Sequence, residues 1–256
     1  MGASRPARRD GEIERRKPAP APALAPQVLY ESDGVLCVAK PSGMVTQPGR
    51  GHTDDTLLNG AFAIRGEALG RLGADRDWGL LHRLDREVSG CVLLAKTPEA
   101  YDALRAAFEC RQIGKVYLAV VRGAPPSASG TCTRAIREVI RDDVKVATCP
   151  PRGGEPAETR WKTLARAGDR SWLEAEPVTG RLHQIRVHLA TLGCPIVGDR
   201  VYRPDAPPNT SRLPPGRVPD PLLLHAWRIE FPDAGQRVRV ECPPPAALAM
   251  PPGRAS

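Results

Sequence analysis

Leu80 to Lys96 reads LLHRLDREVSGCVLLAK, and the division of polar from apolar residues within it governs how the rest of the chain is read. Leu80-Leu81 enters as a strand would. His82-Arg83-Leu84-Asp85-Arg86-Glu87 then crowds polar side chains around a single leucine, and Ser89-Gly90 turns into the run Cys91-Val92-Leu93-Leu94-Ala95, which has the length and composition of a buried strand. Asp85 stands between Arg83 and Arg86, whose positive charges favour an ionised carboxylate. Such an aspartate suits nucleophilic or general-base work; the competing reading is a surface loop of solvated charges.

With 256 residues, 41% of them hydrophobic, the chain can bury a substantial core, and one main domain is expected. Lys and Arg number 37 against 29 Asp and Glu, a formal net charge of +8, which favours phosphate-bearing partners. Aromatic residues at 4% argue against a broad stacking platform for single strands. The cysteines, at 37, 91, 110, 132, 149, 194 and 242, are odd in number, scattered and never spaced as C-x-x-C. Neither zinc nor a disulfide framework is expected from them, and a reducing, cytoplasmic location is. The N-terminus lacks the apolar core of a signal peptide, and no apolar run is long enough to span a bilayer, so no membrane partner is expected.

Residues 1–26 combine Arg5, Arg8, Arg9, Arg15, Arg16 and Lys17 with an alternating Pro-Ala run and read as a disordered basic tail; residues 243–256 read as a disordered Pro-rich tail. The folded part is then 27–242. Val35 to Ala39 reads as a strand delivered into the turn Lys40-Pro41-Ser42-Gly43, where Lys40 either meets a phosphate or is solvated. A weak helical pattern covers 56–69, and His52 has no partner in spacing. Thr97 caps a helix with Pro98 at its first position and with Tyr101, Leu104 and Phe108 on one face. Lys115 to Val121 is a largely buried strand in which Tyr117, by itself, is an ordinary core tyrosine with a hydrogen-bonded tip. Segments 131–148, 158–164 and 171–178 are β-prone and separated by turns. A helix is predicted from about Arg181 to Leu192, with Leu182, Ile185, Leu189 and Leu192 as its apolar stripe and Gly193 and Pro195 closing it. Arg186 lies at the margin of that stripe beside His183 and needs a carboxylate; Asp85 is the partner proposed for it, with an arginine snorkelling to water as the alternative. His183 and His188 are five residues apart, unlike the i, i+4 pair that binds zinc. His225 reads as structural. Strands interrupted by isolated helices favour α+β.

Taken together, His82-Arg83-Leu84-Asp85 with Ser89-Gly90, Thr179-Gly180-Arg181, and His183-Gln184-Ile185-Arg186-Val187-His188-Leu189 resemble the catalytic domain of RluA-type pseudouridine synthases. Lys40-Pro41-Ser42-Gly43, Lys115-Val116-Tyr117-Leu118-Ala119, Pro195-Ile196-Val197-Gly198-Asp199 and Leu224-His225-Ala226 agree in order. The resemblance implies an α+β fold, with a mixed, mostly antiparallel sheet, flanking helices and a central RNA-binding cleft. It also implies isomerisation of uridine within RNA, rRNA or tRNA, without cofactor or metal; a monomer is expected. It assigns the catalytic aspartate to Asp85, the active-site tyrosine to Tyr117 and the aspartate-pairing basic residue to Arg186. Arg83 matches a position that fills the space left by a flipped base, and His82, Arg181, His183 and Lys40 are expected beside it on the RNA. The chain departs from the family pattern at Val88 and Leu182, where threonine is usual, and at Arg203, where glycine commonly follows the tyrosine; no S4-like domain is expected ahead of the core. Asp85 either attacks C1′ or removes the C2′ proton, and both routes stay open. A catalytically silent RNA-binding protein or folding helper, and a base-releasing glycosidase, are the competing readings.

Overall fold

The computed structural model describes residues 16–141, 144–203 and 221–251; residues 1–15 and 252–256 of the expected tails, and nearly all of the proline-rich loop at 203–221, lie outside them. In chain order the elements are β1 (Val28–Glu31), β2 (Val35–Lys40), α1 (Leu57–Leu72), β3 (Ser89–Ala95), α2 (Pro98–Glu109), β4 (Gly114–Arg122), β5 (Ser129–Cys132), β6 (Arg137–Arg141), β7 (Val144–Thr148), β8 (Thr159–Ala167), β9 (Arg170–Pro177), α3 (Gln184–Thr191), β10 (Leu224–Asp233) and β11 (Gln236–Glu241). The class is α+β. Where a single domain over 27–242 is expected, contacts gather into two compact units, Met1–Ile113 with Arg228–Cys242 and Gly114–Trp227 with Pro243–Ser256. Each is discontinuous because antiparallel strands recruit partners far away in the chain.

In the first unit β1, β2 and β3 pair antiparallel, with Val35 opposite Ala95 and Lys40 opposite Gly90. Every residue of β3 is buried, as its unbroken apolar run requires. The chain returns through Arg228–Asp233 of β10, paired with β11, and Phe231 packs edge-on against Tyr30 at 5.8 Å. Thr56 and Asn59 close a capping box at the start of α1, satisfying donors that the helix itself leaves unpaired. Asn59 also donates through Nδ2 to the Ala19 carbonyl at 2.9 Å and accepts Ala21 N–H on its own carbonyl at 3.0 Å. Residues 16–26 therefore correct the expectation of disorder over 1–26. A 3-10 turn at Pro22–Leu24 lies on α1 so closely that a Cβ on Gly60 would sit 2.1 Å from the Leu24 oxygen. Prolines leave that segment little conformational entropy to lose, and α1 supplies its hydrogen bonds. In α2 the Thr97 cap forms as expected, with Tyr101, Leu104 and Ala107 buried.

In the second unit β4, β9, β8 and β5 form an antiparallel set in that order, while β6 and β7 pair as a separate hairpin. The hairpin base packs through Ile136, Ala147 and Ala157 on Val187 of α3. Residues 243–251 also correct the expected disorder: Leu248 is buried with Val120, Val197 and Leu223, and Trp172 Nε1 donates to the Ala249 carbonyl at 3.1 Å. The predicted helix over 181–192 is shorter and differently set. It begins at Gln184, because Gln184 Oε1 accepts from Arg181 N–H and Thr179 Oγ1 and folds 179–183 into a turn. Gln184 through Leu189 are all buried, so α3 is a core helix in place of the amphipathic one its leucines suggest.

Candidate active site

The loop bearing Asp85 is tied down carbonyl by carbonyl. Thr46 Oγ1 donates to the Leu84 carbonyl at 2.8 Å and receives the Leu84 N–H at 3.2 Å. Gly43 N–H donates to the Arg86 carbonyl at 2.8 Å, and Ser42 Oγ to that of Glu87 at 2.7 Å. Val88 N–H closes a β-turn onto the Asp85 carbonyl at 3.1 Å. Leu84 and Val88 are buried on either side, Asp85 is half-buried, and Arg83, Arg86 and Glu87 are exposed. The turn thus presents one carboxylate on a backbone that has little freedom left to move it.

Lys40 departs from its expected place on the RNA. It is 1% exposed, and its Nζ donates to the carbonyls of Pro41 (3.0 Å), Met44 (2.7 Å) and Arg86 (3.1 Å), so its three donors serve the chain. Burial lowers its pKa to about 8, against the pull of the Glu87 and Asp85 carboxylates. At neutral pH it remains a cation under the Asp85 loop. His82, half-buried, accepts the Leu93 N–H on Nε2 at 3.0 Å and packs its ring against Phe108 at 5.6 Å. It joins the loop to β3 as a neutral acceptor.

In the second unit Tyr117 is half-buried on β4, opposite Ala175. Lys115 shares its face by the two-residue period of a strand; burial lowers its pKa, and its Nζ lies 4.0 Å from where a Cβ on Gly180 would stand. Arg181 is exposed, with Nε donating to the Pro156 carbonyl at 3.1 Å and Nη2 3.5 Å from Glu155. His183 precedes α3 in the left-handed region, φ 50° and ψ 23°, an uncommon conformation for a residue with a Cβ. His188 is buried and bonded at both nitrogens, to Thr159 Oγ1 and to the Arg134 carbonyl, each at 2.9 Å. Burial lowers its pKa, and it holds the hairpin base to α3 as a neutral ring.

Arg186 is 5% exposed. Its Nε donates to Asp199 Oδ2 at 2.8 Å and its Nη2 to Asp199 Oδ1 at 3.1 Å. The need for a carboxylate was legible in the sequence, and within this unit Asp199 meets it through Nε and Nη2; the pairing with Asp85 expected from the sequence involves a residue of the other unit. Asp85 belongs to the first unit; Tyr117, Arg181, His183 and Arg186 belong to the second. Asp199 also accepts the N–H groups of Val201 (2.9 Å) and Tyr202 (3.1 Å). Burial alone would raise its pKa; the guanidinium and those amides outweigh it and hold the carboxyl below its ordinary value. Tyr202 lies under the guanidinium, 5.2 Å from Arg186 Cζ to the ring centroid. Asp199, Tyr202 and Thr46 were missed as site residues, since a short D-x-x-Y spacing and a lone threonine carry no chemistry until the fold brings them to Arg186 and Leu84. Among the described residues no three His, Cys, Asp or Glu gather as a metal site, and no helix is long and apolar enough to cross a membrane.

These two sets of residues fall within or beside one family match: residues 34–191 fit the RNA pseudouridylate synthase family, and the chain belongs to that family. It is similar to the ribosomal large subunit pseudouridine synthase D of Xanthomonas campestris pv. campestris, 38% identical over 83% of this chain and 64% of the relative. It is 42% identical to an uncharacterised RNA pseudouridine synthase of Chloroflexus aurantiacus over 64% of this chain and 51% of the relative. The chain thus spans between half and two thirds of the length of these relatives. Among solved structures, the human RNA pseudouridylate synthase domain containing 1 superposes with a TM-score of 0.66 at 26% identity, covering 88% of this chain and 85% of that one. The human domain containing 4 gives 0.65 at 25% identity, covering 88% and 91%. The family and the fold class are those the sequence motifs imply.

Proposed function

We propose that this chain isomerises uridine to pseudouridine within structured RNA, with Asp85 as the acting group. The observation that carries the reading is the Asp85 turn: a half-buried carboxylate whose neighbouring carbonyls are held by Thr46, Gly43, Lys40 and Ser42. Uracil must leave its bond at N1, turn and rejoin through C5. One positioned carboxylate serves this by attacking C1′ or by taking the C2′ proton. Lifting the base from its stack costs a few kcal/mol, and the exposed Arg83, two residues from Asp85, is suited to fill the space it leaves. Tyr117 is assigned to proton removal at C5 and Arg186 to stabilising the acting carboxylate, with His82, Arg181 and His183 beside the RNA. Large-subunit rRNA is the favoured substrate, after the relatives so named, with tRNA as the other, and the working form is a cytoplasmic monomer that needs no cofactor.

The test uses unmodified rRNA and tRNA transcripts carrying tritium at uridine C5. Joining C5 to the sugar displaces its hydrogen, so tritium should reach water while the RNA keeps every base. Asp85→Asn should abolish release and leave RNA binding intact, because affinity rests mainly on phosphate contacts. Free uracil appearing with abasic sites would establish a glycosidase instead, and binding without any release a silent RNA-binding protein.

A further inference from the structure

Tyr202 has a place in the second unit that the proposed chemistry does not use. Its phenol oxygen accepts the Ala147 N–H of β7 at 2.8 Å and meets His183 Nδ1 at 2.8 Å. Its ring packs edge-on against the His183 ring at 5.6 Å and lies under the Arg186 guanidinium, while its own N–H holds Asp199, the carboxylate that grips Arg186. One side chain therefore touches the β6–β7 hairpin and both charged or titratable residues at the start of α3.

We infer that Tyr202 is a positioning residue that couples the β6–β7 hairpin to His183 and Arg186. Ala147 N–H occupies one lone pair of the phenol oxygen, and the phenol proton is assigned to His183 Nδ1, which holds the imidazole with its hydrogen on Nε2. The same contact steadies a residue whose left-handed backbone would otherwise relax. Asp199 fixes the edge of the guanidinium and Tyr202 its face, so the orientation of Arg186 depends on the 199–202 turn as well as on α3. Because the hairpin forms no strand pairs outside itself among the described residues, its attachment depends on its packed base, on His188 and on this phenol. A displacement of the hairpin is thereby transmitted to Arg186. The functional part of this inference rests on the pseudouridine synthase reading; the coupling itself does not.

Tyr202→Phe keeps the ring and deletes the oxygen, and Tyr202→Leu deletes both. Three measurements are made on the full chain: amide hydrogen exchange, the ring-nitrogen spectrum of His183, and single-turnover tritium release from the C5-tritiated transcripts. In Tyr202→Phe the Ala147 amide should exchange about tenfold faster and the chemical step slow about tenfold, the worth of one such hydrogen bond, with RNA affinity within about twofold. His183 should show mixed tautomers, and Tyr202→Leu should be slower still. An Ala147 amide as protected as in the wild type, an unchanged His183 spectrum, or a wild-type rate would overturn the coupling. So would equal acceleration of exchange in the β4–β9 ladder, which marks general destabilisation. If the wild-type chain releases no tritium, the pseudouridine synthase reading fails, and exchange at Ala147 with the His183 spectrum still decides the coupling.

Discussion

Lys40 does its work without touching solvent. Its ammonium holds the carbonyls of Pro41, Met44 and Arg86 and so fastens the strand exit to the turn that carries Asp85. In Lys40→Met these carbonyls lose their donors at about 1–3 kcal/mol each, partly offset by removing a buried charge, for a net loss of about 2 kcal/mol in urea titration. The pH dependence has a definite sign. Burial lowers the Lys40 pKa from 10.5 to about 8; between those values the unfolded chain holds a proton that the folded chain has released, so stability rises with pH there. Below pH 8 the full cost of the buried charge is present. The rise should vanish in Lys40→Met, and a wild-type profile in that variant would assign it to another group.

At the scale of elements, Glu31 at the end of β1 gathers α1 and the end of β3. Its carboxylate receives Arg65 Nε at 2.6 Å and Nη2 at 2.5 Å, with Lys96 Nζ at 2.7 Å. Arg65 is the residue at which α1 kinks, with φ −140° and ψ 32°, and its fork onto Glu31 accounts for a bend that the weak helical pattern of 56–69 does not announce. The Arg65 bonds, opposed by burial and helped by Lys96, lower the Glu31 pKa from 4.5 to about 2. The folded form thus gains stability that is whole above pH 4.5 and lost as pH falls toward 2, about 2 kcal/mol once solvent screening of a side chain 25% exposed is allowed for. Glu31→Gln should remove that acid-induced loss, measured as urea midpoints across the interval. An unaltered slope would mean that the ion triad contributes nothing to the acid limb.

For the whole molecule, the proposed function implies that the charge of +8 acts on RNA through several weak phosphate contacts. Affinity for an unmodified rRNA transcript should fall on the order of a hundredfold between roughly 50 and 200 mM salt, the loss that about four phosphate contacts give. Replacing the exposed Arg83 or Arg181 by Gln should make the slope shallower by about one unit, whereas Lys40→Met, being buried, should leave it unchanged. A Lys40→Met slope shallower by a unit would restore that lysine to the RNA.

Much was legible from the chain alone because it is local. Apolar runs announced β2 and β3, the Thr97-Pro98 pair announced the start of α2, and the spacing of His82-Arg83-Leu84-Asp85 and His183 to Leu189 carried the family. What lay beyond reach was which partner each polar group finds. Arg186 announced its need for a carboxylate but could not name Asp199, Lys40 stood at a strand exit equally suited to phosphate or solvent, and the Pro-Ala segment gave no sign that Asn59 would receive it. Helical and strand periods are properties of neighbouring residues and are written in order along the chain. Hydrogen-bond partners and burial of charge depend on groups brought together from 13 residues apart for Arg186 and Asp199 to 46 for Lys40 and Arg86, and only the folded structure decides those meetings.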